Sequence, residues 1–198
     1  MAVAGDRLSR RTLLASLVFL AACTAFTPRD LPEPAMPLPA TAASLTIVIF
    51  EIGAVALPFH TGLIIRLPDE VAIYDPSGTW DGDGTCPREG EMIRHATPEQ
   101  VDSYLRHDGL DYAPGGFTLH QFERAVPTGL ARDVLQRAVA APPTPVLHCT
   151  YGVTTLLSQV PGFEFLDPTH VTGSLLRTLV LRDDFIYTRR EPDHGEAG

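Results

Sequence analysis

The sequence predicts an α+β fold in which an antiparallel sheet packs against helices. Short apolar runs with strand character recur between turn residues, at "LTIVIF" (45–50), "HTGLIIR" (60–66), "VAIYD" (71–75), "FTLHQFE" (117–123) and "DFIYTRR" (184–190). Segments with helical spacing are mixed among these hairpin-forming runs, which is the element pattern of an α+β chain. Hydrophobic residues make up 44% and charged residues 20% of the 198, enough apolar surface for a real core.

The N-terminal residues stand outside that fold. Arginines precede an apolar run from Leu13 to Ala22, which is too short to span a bilayer and reads as a secretory signal over residues 1–22. The run ends in "LAAC", Leu20 to Cys23, which resembles the bacterial lipobox, where cleavage precedes a cysteine that is then lipidated. "SRRTLL" (9–14) also resembles a twin-arginine export signal. An acylated Cys23 would hold the domain against a membrane without crossing it, and Thr24 in place of aspartate resembles outer-membrane sorting. The competing reading is an ordinary cleaved signal with an incidental Cys23.

Residues 23–44 follow as a proline- and alanine-rich linker, because proline favours extended, unpaired chain. The catalytic domain is expected over 45–190. "LTIVIF" is its first, buried strand. "HTGLIIR" and "VAIYD" flank the turn residues "LPDE" and form an antiparallel hairpin. A polar, glycine-rich loop spans 76–91. "TPEQVDSYLRH" (97–107) opens a helix: Thr97 caps it, Pro98 takes its first position and Gln100 completes a capping box. A strand at 117–123 leads to a helix over 128–141, ended by Pro142 and Pro143. A helix from Cys149 to about Gln159 stops at Pro161 and Gly162. "PTHVTGSLLRTLVL" (168–181) is helical in part, and a last strand precedes a frayed tail over 191–198.

Hairpin register places the first candidate site residues. With 67–70 as the turn, Arg66 pairs with Val71, Ile64 with Ile73 and Gly62 with Asp75, so His60, Gly62, Ile64, Val71, Ile73 and Asp75 share a face. Asp75 then lies diagonally across from His60, at about 7–8 Å between backbone positions, within side-chain reach. Gly62, directly opposite Asp75, contributes no side chain and leaves room for that approach. A carboxylate on one ring nitrogen fixes the tautomer and leaves the other nitrogen to move protons. Ser77, opposite His60, is the reserve partner. Taken singly, His60 reads as a half-buried polar residue and Asp75 as a turn starter; only the shared face pairs them.

Cys149 is the third candidate. With Val153, Leu156, Leu157 and Val160 it follows i, i+4, i+7, i+8, which puts it on the inward face of a helix at its first turn. Unpaired amides and the helix dipole there favour thiolate and can hold an oxyanion. A small buried apolar cysteine is the alternative.

"HTGLIIRLPDEVAIYDPSG" (60–78) resembles the strand pair of NlpC-type papain-like amidases, and "HCTYGVTTLL" (148–157) resembles their nucleophile helix. The usual members place cysteine before histidine. Here His60 comes first, as in the circularly permuted branch, which includes the lecithin:retinol acyltransferase-like proteins. The resemblance covers about a quarter of the chain. It departs from the usual pattern at Asp75, where histidine, asparagine or glutamate is more common, and at "FEIGAVALPF" (50–59). It implies Cys149 as nucleophile, His60 as general base and acid, and Asp75 as orienting residue. The implied reaction is acyl transfer on an amide or ester, in a peptidoglycan peptide or a lipid, with no cofactor.

Two competing chemistries use the same cysteine. Export would place Cys86 and Cys149 in an oxidising compartment, where they could pair. A zinc site from His60, His95, His148, Cys86 and Cys149 has spacings that match no finger or zincin motif. His148 precedes the helix and could assist Cys149; His95 and His120 have no partner visible in sequence. A papain-like lipoprotein used for binding or envelope assembly is the non-enzymatic alternative. Nucleic acid is not an expected partner: the formal net charge is −9, lysine is absent, and no basic stripe is present to meet phosphates. Oligomeric state is left open.

Overall fold

The computed structural model of the chain describes residues 43–76, 92–106, 116–142, 144–145 and 147–191. The expected signal (1–22), Cys23 with nearly all of the linker, Ser77, Cys86 and residues 192–198 lie outside the described residues. Those that are described form an α+β domain with a six-stranded antiparallel sheet and four helices.

The strands are β1 (Ser44–Ile52), β2 (Leu57–Arg66), β3 (Val71–Tyr74), β4 (Met92–Ile93), β5 (Phe117–Ala125) and β6 (Ile186–Arg190), in sheet order β4-β3-β2-β1-β5-β6. The helices are α1 (Pro98–Arg106), α2 (Thr128–Ala140), α3 (Cys149–Leu157) and α4 (Thr172–Val180). All five expected strands fall within this sheet, and the β2–β3 register is the one calculated: Ile64 opposite Ile73 and Arg66 opposite Val71. The ladder ends at Leu63–Tyr74, so Asp75 lies just beyond it.

β1 begins at Ser44, a residue assigned to the linker from its proline-rich context. It is drawn into the sheet because it pairs with Arg66 on one side and Ala125 on the other, and its hydroxyl donates to Glu123 at 2.7 Å. The unfamiliar segment before His60 is a tight connection at 53–56 that returns the chain antiparallel, with a register shift between Phe50 and Glu51. β4 is too short for its pattern to stand out in sequence.

β1 is central and covered on both faces, which is why its apolar run is continuous rather than alternating. On one face Val48, Phe50, Ile64, Ile73 and Leu119 pack with Tyr104 of α1, and Val101 and Leu105 join them. The capping box holds α1 in place: Gln100 N–H donates to Thr97 Oγ1 at 3.2 Å and Thr97 N–H to Gln100 Oε1 at 2.9 Å. The residues of the opposite parity, among them Leu45, Ile47, Ile49, Leu63 and Ile65, face α2, α3 and α4 and are fully buried.

A chain of threonine hydroxyls seats α3 on that second face. Thr150 Oγ1 lies 2.9 Å from Thr61 Oγ1 of β2 and 2.7 Å from Thr172 Oγ1 of α4. All three side chains are buried. Thr150→Val keeps the shape but leaves two buried hydroxyls short of a partner, so it should lower unfolding stability by about 2 kcal/mol in urea titration.

Candidate active site

His60, Asp75 and Cys149 come together although they lie on three elements. Strand alternation points His60 to the α1 face, where its ring packs 5.5 Å from that of Phe50. Pro76 follows Asp75 and cannot continue a ladder, so the chain leaves β2 with the aspartate still beside the histidine. The result is a bond from His60 Nε2 to Asp75 Oδ1 of 2.5 Å, with the two residues 2% and 0% exposed.

Cys149 arrives from the other face. On the part of β2 before Leu63, which the described residues of β3 do not pair, the start of α3 lies against the strand. Phe59 and Thr61 present backbone groups there: Sγ lies 3.9 Å from the Phe59 carbonyl oxygen, and the Thr61 N–H donates toward the sulfur. The thiol hydrogen-bonds with the His60 side chain. Since Nε2 is engaged by Asp75, Nδ1 is the nitrogen left for the sulfur.

The electrostatics follow from this order. Burial alone would lower the His60 pKa, but the Asp75 carboxylate outweighs it and the Cys149 sulfur adds to it, raising the ring to about 10. Burial alone would push the Cys149 thiol up; the His60 imidazolium and the amides of Thr61 and Thr150 reverse this and hold it below its ordinary value. Both shifts favour the thiolate–imidazolium form of the pair. The sequence reading credited helix amides and dipole with activating the thiol. The main cause is instead the imidazolium, and one of the two amides belongs to β2.

The first intrahelical bond of α3 runs from Gly152 N–H to the His148 carbonyl, so the amides of Cys149, Thr150 and Tyr151 precede any helical acceptor. Thr150 turns its amide to the sulfur. Leu147, 81% exposed with φ of 69°, makes the sharp entry into this helix. Tyr151 stacks on His170 at 4.4 Å, and His148 meets His170 edge-on at 4.5 Å, so His148 contributes to an exposed aromatic rim. A cavity of about 480 Å³ lies between α3 and the end of α2, lined by Tyr74, Arg137, Ala141, His148, Tyr151 and Gln159 among others, and it borders the first turn of α3 without including the sulfur.

Other histidines find structural partners. His95 pairs with Glu70 at 3.9 Å, and His120 Nδ1 meets the Tyr187 hydroxyl at 3.0 Å. Among the described residues no group of three or more His, Cys, Asp or Glu converges as metal ligands. Cys149 carries a free thiol.

Tyr104 is the participant that sequence reading missed. Fully buried on α1, its phenol is pushed well above its ordinary range by burial and then by the charge of nearby Asp75. Its spacing with Val101 and Leu105 is that of an ordinary core stripe. The available signal was Gly62, since a glycine inside a strand marks a close approach. The space it leaves is filled by the Tyr104 hydroxyl.

The chain matches no family model, no curated protein and no solved structure. Alkylation of Cys149 should be half-maximal below pH 9, the ordinary thiol value, because the folded pKa is lowered. His60→Ala leaves only the Thr61 and Thr150 amides to oppose burial, so the midpoint should rise and labelling at pH 7 should fall by about tenfold or more. Iodoacetamide rates across pH measure both.

Proposed function

We propose that this chain is a cell-envelope lipoprotein acting as a thiol-dependent hydrolase or acyltransferase on amide or ester bonds, with a permuted papain-like arrangement of its site. The observation that carries the reading is one imidazole engaged on both sides, by buried Asp75 at 2.5 Å and by the Cys149 sulfur. A structural histidine needs one partner. One held by a carboxylate and turned to a sulfur at a helix N-terminus has the geometry of an acid–base catalyst.

The Cys149 thiolate attacks the substrate carbonyl carbon, and the carbonyl π pair moves to oxygen, where the amides at the start of α3 can receive it. Collapse of this intermediate expels the amine or alcohol, which takes the proton from His60 Nδ1 and leaves a thioester on Cys149. His60, now neutral, accepts a proton from water or another acceptor as that group attacks the thioester. Release of the acid or ester restores thiolate and imidazolium. Asp75 retains its charge throughout and keeps the ring oriented.

The candidate substrates are a peptidoglycan peptide or a lipid, both within reach of a domain tethered through Cys23. Outer-membrane placement, on the periplasmic face, fits Thr24. A catalytically inactive binding or assembly role is favoured by one observation: Cys149 is only 4% exposed. Catalysis requires a substrate carbonyl to reach that sulfur.

Hydrolysis of activated esters separates these readings. Wild-type protein should turn over p-nitrophenyl esters with a burst of acyl-enzyme, Cys149→Ala should lose turnover entirely, and Asp75→Ala should lose about 100-fold or more. A wild-type rate equal to that of Cys149→Ala would leave the binding role. For the anchor, Cys23→Ser should abolish incorporation of labelled palmitate in the producing bacterium and release the protein from the membrane fraction.

A further inference from the structure

We propose that Tyr104 is a positioning residue of this site: its hydroxyl fixes the buried Asp75 carboxylate, and position 62 is glycine because that hydroxyl occupies the space of a β-carbon. The proposal deepens the acyl-transfer reading and rests on it.

A Cβ built on Gly62 would stand 1.6 Å from Tyr104 Oη and 2.9 Å from Cζ. Neither is a contact that real atoms tolerate, so β2 and α1 accommodate each other only with hydrogen at this position. Gly62 lies two residues from His60 on the same face, and the ladder that ends at Leu63–Tyr74 leaves Asp75 level with it. The hydroxyl therefore enters the sheet surface between the two acidic-site partners, beside Asp75. Phe50 braces it: its ring meets that of Tyr104 edge-on, at 5.6 Å and 79°, and that of His60 at 5.5 Å. One phenylalanine thus packs against both His60 and Tyr104.

A buried carboxylate has several lone pairs to satisfy, and His60 satisfies only part of them. A further donor beside it stabilises the anion whose charge attracts the imidazolium. The required second donor must be neutral. An arginine there would cancel the charge that holds His60 protonated, whereas a phenol stabilises the anion and leaves that charge intact. Burial, then the nearby Asp75 and Cys149 charges, keep the Tyr104 phenol well above its ordinary range, so it remains a donor wherever the site works.

The test uses the full chain and the pH dependence of Cys149 alkylation by iodoacetamide, with thermal unfolding in parallel. Tyr104→Phe keeps the ring against Phe50 and removes only the donor. The acid midpoint of labelling should rise by about one pH unit, since a hydrogen bond to a charged group supports a shift of that order. A purely structural tyrosine would lower the unfolding midpoint and leave the labelling midpoint in place. Gly62→Ala, which displaces the hydroxyl, should shift the midpoint in the same direction, and Gly62→Ala with Tyr104→Phe should shift it no further than Tyr104→Phe alone. Should the alanine variants not fold, the Tyr104→Phe profile decides the matter. An unmoved midpoint in Tyr104→Phe, with wild-type labelling fast and dependent on His60, overturns the role of Tyr104 and leaves the acyl-transfer reading standing. Wild-type labelling that is slow and indifferent to His60→Ala overturns that reading itself, and this proposal with it.

Discussion

A carboxylate with no exposed surface, at the end of a four-residue strand, is the feature around which the rest of the site is arranged. Removing Asp75 from water is costly unless its lone pairs are taken up by donors, and His60 Nε2 at 2.5 Å is one such donor. The strand that delivers it must therefore stop where it does. If β3 ran on as a ladder, its backbone would cover the edge of β2 beside His60. The ladder of β3 ends at Tyr74, and Cys149 meets β2 on the stretch before Leu63, at the Phe59 carbonyl.

The sheet serves as a divider between two groups of residues. The α1 face supplies His60, Asp75 and Tyr104, embedded in an aromatic and aliphatic cluster with Phe50 at its centre. The opposite face supplies α3, seated by the threonine chain from Thr61 through Thr150 to Thr172. Sulfur and imidazole meet around the rim of β2, where the Thr61 amide and the Phe59 carbonyl turn outward. Proton-transfer groups and nucleophile are thus held by separate cores.

Opposed forces set the charge state. Burial works against both ions of the pair, and each is favoured by the other beside it, with Asp75 favouring the charged ring. The helix terminus is a secondary aid here. Its dipole falls off within the first turn and is shared among several amides, while the imidazolium is a full charge at hydrogen-bond range in the same dry environment. Surface ion pairs such as Arg132 with Asp69 and Arg137 with Asp133 sit in water and contribute little to this balance.

Local rules were enough to identify the α+β class, the β2–β3 register, the capping box of α1 and the shared face of His60 and Asp75. Each depends on alternation, helical spacing or turn chemistry within about twenty residues, which the order of amino acids specifies directly. The inward face of α3 was legible for the same reason. What joined Cys149 to His60, 89 positions earlier, was the packing of a helix against the part of β2 that the described residues of β3 do not pair, and no periodicity encodes that. Tyr104 was hidden by its own chemistry, since a buried aromatic at helical spacing looks alike whether it fills a core or reaches a carboxylate. Only the fold decided which, by bringing it against a glycine two strand positions from the histidine.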